Sequence, residues 1–136
     1  VDLKTILVAD YANVAEGGKP NVMGIFRTIN AETCPTRQPE MYFITTLTAG
    51  AGEFGRAATV GVKLMDSSAK QTLVDFSQQI VVPTAEGGRR AEVNVIVRLR
   101  DVVFPDFGAY QFSVLVDNDE KGTLPIEVNK IQHQQS

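Results

Sequence analysis

Tryptophan is absent from the 136 residues, and cysteine and histidine occur once each. Each scarcity excludes something. A single thiol, Cys34, cannot staple the fold internally, which fits a reducing compartment or a fold that needs no bridges. A serine or cysteine nucleophile needs a base held within hydrogen-bond reach. The one imidazole, His133, lies in a polar C-terminal tail, while Cys34 lies in a proline-bounded loop, so no catalytic pair is expected. A transition-metal site would need several His or Cys ligands, and only these two residues could supply them. Glycoside hydrolysis by paired carboxylates would need a cleft, helped by aromatic sugar platforms, but the aromatics fall mostly on inward positions. An enzyme is therefore not expected.

Charge is scarce in a different sense. The formal net charge is −3, both signs are scattered, and no basic run of five occurs, so nucleic acid is a poor partner. No apolar run approaches membrane-spanning length, so no membrane association is expected. The opening Val1-Asp-Leu-Lys4 lacks the pattern of a signal peptide. Starting at Val rather than Met is expected to reflect loss of the initiator Met, with a removed signal peptide as the alternative. No Asn-x-Ser/Thr sequon is present. A cytoplasmic location is the expectation, and no cofactor is called for.

Helical periodicity is missing too; what is present is alternation. Tyr110, Phe112, Val114 and Val116 share one face, and Gln111, Ser113 and Asp117 the other, the period-two signature of a strand with one buried side. A turn at Asn118–Gly122 leads to Leu124, Ile126 and Val128 on a second strand. Six more strands are read before this hairpin. They are 3–12, apolar on both faces, and 21–29, with Gly24 predicting a bulge or close backbone approach. Then come 41–48, 58–66, 72–82 and 91–100. Gln78 interrupts the inward face of the fifth and predicts a hydrogen-bonded core amide or a bulge. The stretch 31–40, with Pro35 and Pro39, reads as a loop. Eight short strands with Gly/Pro turns argue an all-β, two-sheet antiparallel sandwich. One domain is expected over residues 1–131, with 132–136 as a polar tail.

Asp106-Phe-Gly108-Ala-Tyr110-Gln-Phe112 resembles the tyrosine corner of immunoglobulin-like sandwiches, in which the Tyr hydroxyl bonds backbone upstream. Gly108 supplies the turn, and Phe112 stands where antibody domains carry a disulfide cysteine. The corner favours immunoglobulin-like wiring over C2-like or jelly-roll alternatives.

Two motifs suggest ligands. Gly50-Ala-Gly52-Glu-Phe-Gly55 is a literal G-x-G-x-x-G, but it leads into a strand rather than a helix, so it is expected to be a hairpin loop and not a dinucleotide site. If every connection reverses direction, the loops near Glu16, Glu53, Glu86 and Asp117–Glu120 share one end. Asp117, Asp119, Glu120 and Glu86 would then be calcium candidates. Lys19, Arg56, Arg89, Arg90 and Lys121 occupy the same end, and such mixtures more often form solvated ion pairs.

Ile6-Leu-Val-Ala-Asp10-Tyr-Ala12, Gly18-Lys19 and Asn21-Val-Met-Gly-Ile-Phe26 match a pattern seen elsewhere, as do Phe104-Pro105, Gly108, Tyr110, Phe112, Val114, Asp117, Gly122 and Leu124-Pro125. With these residues the chain resembles a family of small prokaryotic single-domain β-sandwich proteins of unknown function. The resemblance implies a cytoplasmic bacterial or archaeal origin and carries over no catalytic or binding residue. A carboxylate at Asp10, in a largely apolar strand, is expected to play a structural part by bonding nearby backbone donors.

The leading functional expectation is a non-enzymatic interaction or structural module, possibly a homo-oligomer. Its motive is the two-sided first strand together with outward Ile44, Ile96 and Leu115. Ile6 and Val8 are the expected contact residues, offered by an open edge to a partner protein or a second copy. The alternative is a ligand-binding sandwich taking calcium or a glycan at a loop end.

Overall fold

The computed structural model describes residues 1–131; the tail 132–136, with His133, lies outside the described residues. The strands are β1 (Asp2–Val14), β2 (Pro20–Ile25), β3 (Thr28–Ala31), β4 (Thr36–Ala49), β5 (Ala57–Asp66), β6 (Thr72–Val81), β7 (Ala91–Phe104), β8 (Gly108–Val116) and β9 (Asp119–Lys130). The chain is all-β, with one sheet in the order β2-β1-β4-β7 and another in the order β3-β9-β8-β5-β6. One apolar core lies between the sheets, built from side chains such as Val8, Phe43, Leu64, Phe104, Phe112 and Ile126.

Nine strands stand among the described residues where eight were expected, because the second is cut in two. Phe26 donates its N–H to the Val8 carbonyl at 3.0 Å, whereas the next carbonyl, that of Arg27, accepts from the Glu127 N–H at 2.9 Å. Two consecutive residues thus bond to different sheets, and the chain crosses between them at this step. Beyond the crossing β3 runs parallel to β9.

The proline stretch also differs from expectation. Thr36, Arg37 and Gln38 pair with Phe104, Val103 and Val102, so β4 begins before Pro39. The rung that would join Pro39 to Asp101 is the one missing from this ladder, and Asp101 sits at φ +54°. A residue without an N–H is tolerated where the partner strand bends away.

Strand β1 does double service. From Asp2 to Ala9 it pairs with β4, and from Ala9 to Val14 with β2. Inside the β1–β2 ladder, Asp10 faces Gly24, which has φ +72° and no rung of its own. A Cβ built on Gly24 would lie 2.5 Å from the Asp10 Oδ2 atom. This is the close approach that a glycine inside a strand pattern signals. The β1–β2 hairpin folds back at this point over the outer face of the β4–β7 ladder. Ala12 and Val22 pack on Ile44 and Ile96, the Tyr11 ring meets Tyr42 edge-on at 5.3 Å, and Asn94 Nδ2 donates to the Gly18 carbonyl at 3.4 Å. The two-sided apolar pattern of β1 is explained within the chain: Val8 serves the core, while Ala9 and Ala12 serve the covered outer face.

The corner before β8 is built around Tyr110. Its hydroxyl donates to the Asp106 carbonyl at 2.7 Å and accepts from the Asp106 N–H at 3.2 Å. Its buried ring meets Phe104 edge-on at 5.0 Å. Gly108, at φ +127°, turns the chain between them. Burial raises the phenol pKa, an effect partly offset by the bond to Asp106. Tyr110→Phe removes both bonds and leaves a backbone carbonyl short of a donor. The expected loss is about 1 kcal/mol in urea denaturation; an unchanged midpoint would show that water replaces the hydroxyl without cost.

At the end of β5, Asp66 organises the turn into β6. Its Oδ1 accepts from the Lys70 and Gln71 N–H groups at 2.8 and 3.1 Å, and its Oδ2 from the Ser68 hydroxyl at 2.8 Å. The bond from Gln71, then that from Ser68, hold its carboxyl below the usual carboxylate range. A pKa depressed by folding contributes stability that is present above the unfolded value and lost as pH falls through the folded one. Asp66→Ala should therefore melt at a lower temperature than wild type at neutral pH. The gap should close below about pH 4, through the lowered folded value, as the wild-type carboxyl protonates. A gap independent of pH would assign the turn's stability to packing instead.

Candidate interaction site

The four strands at the sheet margins are β2, β3, β6 and β7, and they are not alike. Strand β2 begins at Pro20 and bends at Gly24; β3 is only four residues long. Short, kinked edges are poor templates for another chain. Strands β6 and β7 are 10 and 14 residues long and contain no proline. They close the same flank of the molecule, one from each sheet.

Between them lies a groove of about 670 Å³. Its inner wall carries half-buried Val74 and Phe76 from β6 and buried Val97, Leu99 and Val102 from β7. Arg98, Arg100, Asp75 and Asp101 stand along its rim. Arg98 Nε donates to the Glu40 carboxylate at 2.8 Å, and the Tyr42 hydroxyl donates to the same oxygen at 2.7 Å. The Arg98 bond, then that of Tyr42, hold the Glu40 carboxyl below the usual range, so this ion pair persists through mildly acid conditions. Arg37 meets Asp101 at 3.3 Å. A trough with an apolar floor between unpaired strand edges is a place where an extended peptide can add main-chain bonds and seat alternate side chains.

This flank was not found from sequence. The signal was there: β6 and β7 are joined by 82–90, which contains Pro83, Gly87 and Gly88 and is too long for a tight hairpin. Such a connection fits a change of sheet, here between two strands on the same flank. Gln78 belongs to the same correction. It is exposed and opposite Val60, being neither a core amide nor a bulge, because β6 is a margin and its inward side is open there.

The expected site residues fall elsewhere. Val8 is 0% exposed and paired to Phe43 inside the core, so its side chain cannot meet another protein; Ile6 is half-buried beside it. Ile44, taken as an outward residue that called for a partner, is 1% exposed beneath the β1–β2 hairpin, and Ile96 packs there too. Asp10 is exposed at the hairpin bend.

The calcium candidates do not converge: no group of three or more His, Cys, Asp or Glu side chains able to hold a metal occurs among the described residues. Asp117 and Asn118, both at positive φ, form a two-residue hairpin turn instead of the longer turn expected at 118–122. The Asp117 carboxylate accepts from the Thr59 N–H at 2.9 Å, and Asp119 meets Lys121 at 3.2 Å. Glu120 lies on β9, and Glu86 is exposed in the β6–β7 loop. Glu16 lies in the tip of the folded-back β1–β2 hairpin, where the Gly18 carbonyl accepts from Asn94, and joins no such group among the described residues. Gly50–Gly55 contains only a single 3-10 turn, Ala51–Glu53, before β5. No helix among the described residues is long and apolar enough to cross a membrane.

The family of unknown function DUF6941 matches residues 4–129. The chain belongs to that family. No curated protein matches this DUF6941 chain. Among solved structures, it is similar to the Pseudomonas fluorescens alkylpurine DNA glycosylase AlkC bound to DNA containing an abasic site analog, at 14% identity and a TM-score of 0.47. The likeness covers 76% of this DUF6941 chain and only 27% of the glycosylase, and it is too weak to carry fold or activity across.

Proposed function

We propose that the chain is a non-enzymatic protein-interaction module, wired like an immunoglobulin-like sandwich, that takes an extended segment of another protein chain along the mouth between β6 and β7. The wiring is supported by the sheet order. With β2 and β3 set aside, the strands run β1-β4-β7 and β9-β8-β5-β6. In chain order these are first, second and fifth against seventh, sixth, third and fourth, the pairing of A, B and E against G, F and C with an added edge strand. The bonded Tyr110 lies where the fifth strand passes to the sixth, as a tyrosine corner does.

The observation that carries the function is that two long, proline-free open edges flank one groove with an apolar floor and a charged rim. Selection of a displayed library of linear peptides on the immobilised protein tests it. Peptides with apolar residues at alternate positions should be enriched. Their binding should be lost in Val74→Lys, whose side chain lies on the half-buried wall and whose circular dichroism should remain that of the wild type. No enrichment over a bare surface, or binding indifferent to Val74→Lys, would overturn the reading.

A further inference from the structure

We infer that the chain that pairs at this mouth is a second copy of the protein, joined antiparallel along β7 about a twofold axis at Ile96. The inference rests on the interaction reading above and names its partner. From Ala91 to Arg100 every residue of β7 has a rung to β4, without a shift, so this length of edge is regular; the break at Asp101 ends it. An antiparallel strand paired with itself must set each residue opposite one on the same face, and an isologous contact repeats every pair twice.

Centred on Ile96, the pairing sets Glu92 opposite Arg100 of the second copy, Asn94 opposite Arg98, and Ile96 on itself. On the inner face Val93 meets Leu99, and Val95 meets Val97. No like charges oppose each other. The neighbouring register centred on Val95 would set Glu92 against Arg98, already bonded to Glu40, and leave Arg100 outside. The Arg100 side chain is exposed and makes no ion pair or hydrogen bond among the described residues, though its charge helps hold the Glu40 carboxyl down. Glu92 meets Lys4 of β1 across the intervening β4 and keeps an exposed carboxylate for a second cation. Charge complementarity therefore selects one register. Pairing there joins the two β4–β7 ladders into one continuous sheet and places the second copy over the open mouth.

Sedimentation velocity at tens of micromolar reads the outcome. Wild type should run as a dimer. Arg100→Glu and Glu92→Arg should each weaken dimerisation by about tenfold or more, because opposite charges become like charges at two symmetric pairs. The double variant Glu92→Arg/Arg100→Glu restores both pairs and should return the dimer. A monomeric wild type, single variants that dimerise as well as wild type, or a double variant no better than the singles would each overturn the inference. Peptide capture that depends on Val74 alongside a monomeric wild type would retain the interaction reading and remove only self-pairing.

Discussion

Val8→Lys should unfold the protein and not yield a soluble monomer. Val8 has no exposed surface and lies among Met41, Phe43 and the inner residues of the second sheet. An ammonium there has no partner and no path to water, a change that exceeds about 4–5 kcal/mol and approaches the whole stability of a small domain. Ile6→Lys should be much milder. Ile6 is only half-buried, and a lysine stem can lie along the surface with its charge in water. Thermal melts followed by circular dichroism compare the two. A cooperative melt of Val8→Lys near the wild-type temperature would show that β1 is a detachable edge after all.

Phe112→Ala should be the most damaging simple truncation, costing about 3–5 kcal/mol. The Phe112 ring, from β8, meets Phe43, from β4, with centroids 4.9 Å apart and planes tilted by 33°. Both are fully buried, so the contact joins the two sheets at the centre of the core. Removing either ring leaves a cavity walled by strands that cannot close on it. Phe43→Ala should cost a similar amount, and the double variant should lose less than the sum, since the ring pair itself contributes about 0.5–1.5 kcal/mol. Urea denaturation with unchanged slope measures all three; strict additivity would show that the rings do not support one another.

The strands that alternate cleanly were legible from sequence. Val95, Val97 and Leu99 on β7, Tyr110, Phe112, Val114 and Val116 on β8, and Leu124, Ile126 and Val128 on β9 are all buried as their period demands. Period two reports which residues share a face, and burial follows. It does not report which sheet a strand joins. Phe26 ends an apolar run and Arg27 follows it directly, but nothing in their side chains announces that one bonds Val8 and the next Glu127. That single crossing adds a strand that the alternation of side chains does not show. Pro39 misled in the opposite direction: its missing donor argues against a strand, yet the strand continues because Asp101 opposite supplies the irregularity. The outer cover over Ile44 was unreadable for a related reason. An outward apolar residue looks the same whether its cover comes from another chain or from a hairpin of its own.

Strand β4 is gripped by β1 on one side and β7 on the other, which gives its place in the sheet a consequence in time. Strand β1 is made before β4, but everything from Gly50 to Arg90 is made between β4 and β7, a delay of a few seconds at about 5–20 residues per second. Throughout that interval the segment Met41-Tyr-Phe-Ile-Thr-Thr-Leu47, apolar, uncharged and β-prone, presents an unsatisfied edge. The hairpins β5–β6 and β8–β9 close locally within microseconds, whereas the β4–β7 ladder joins residues far apart in the chain and must form late. The centre of the mature sheet is thus the most vulnerable stretch of the nascent one.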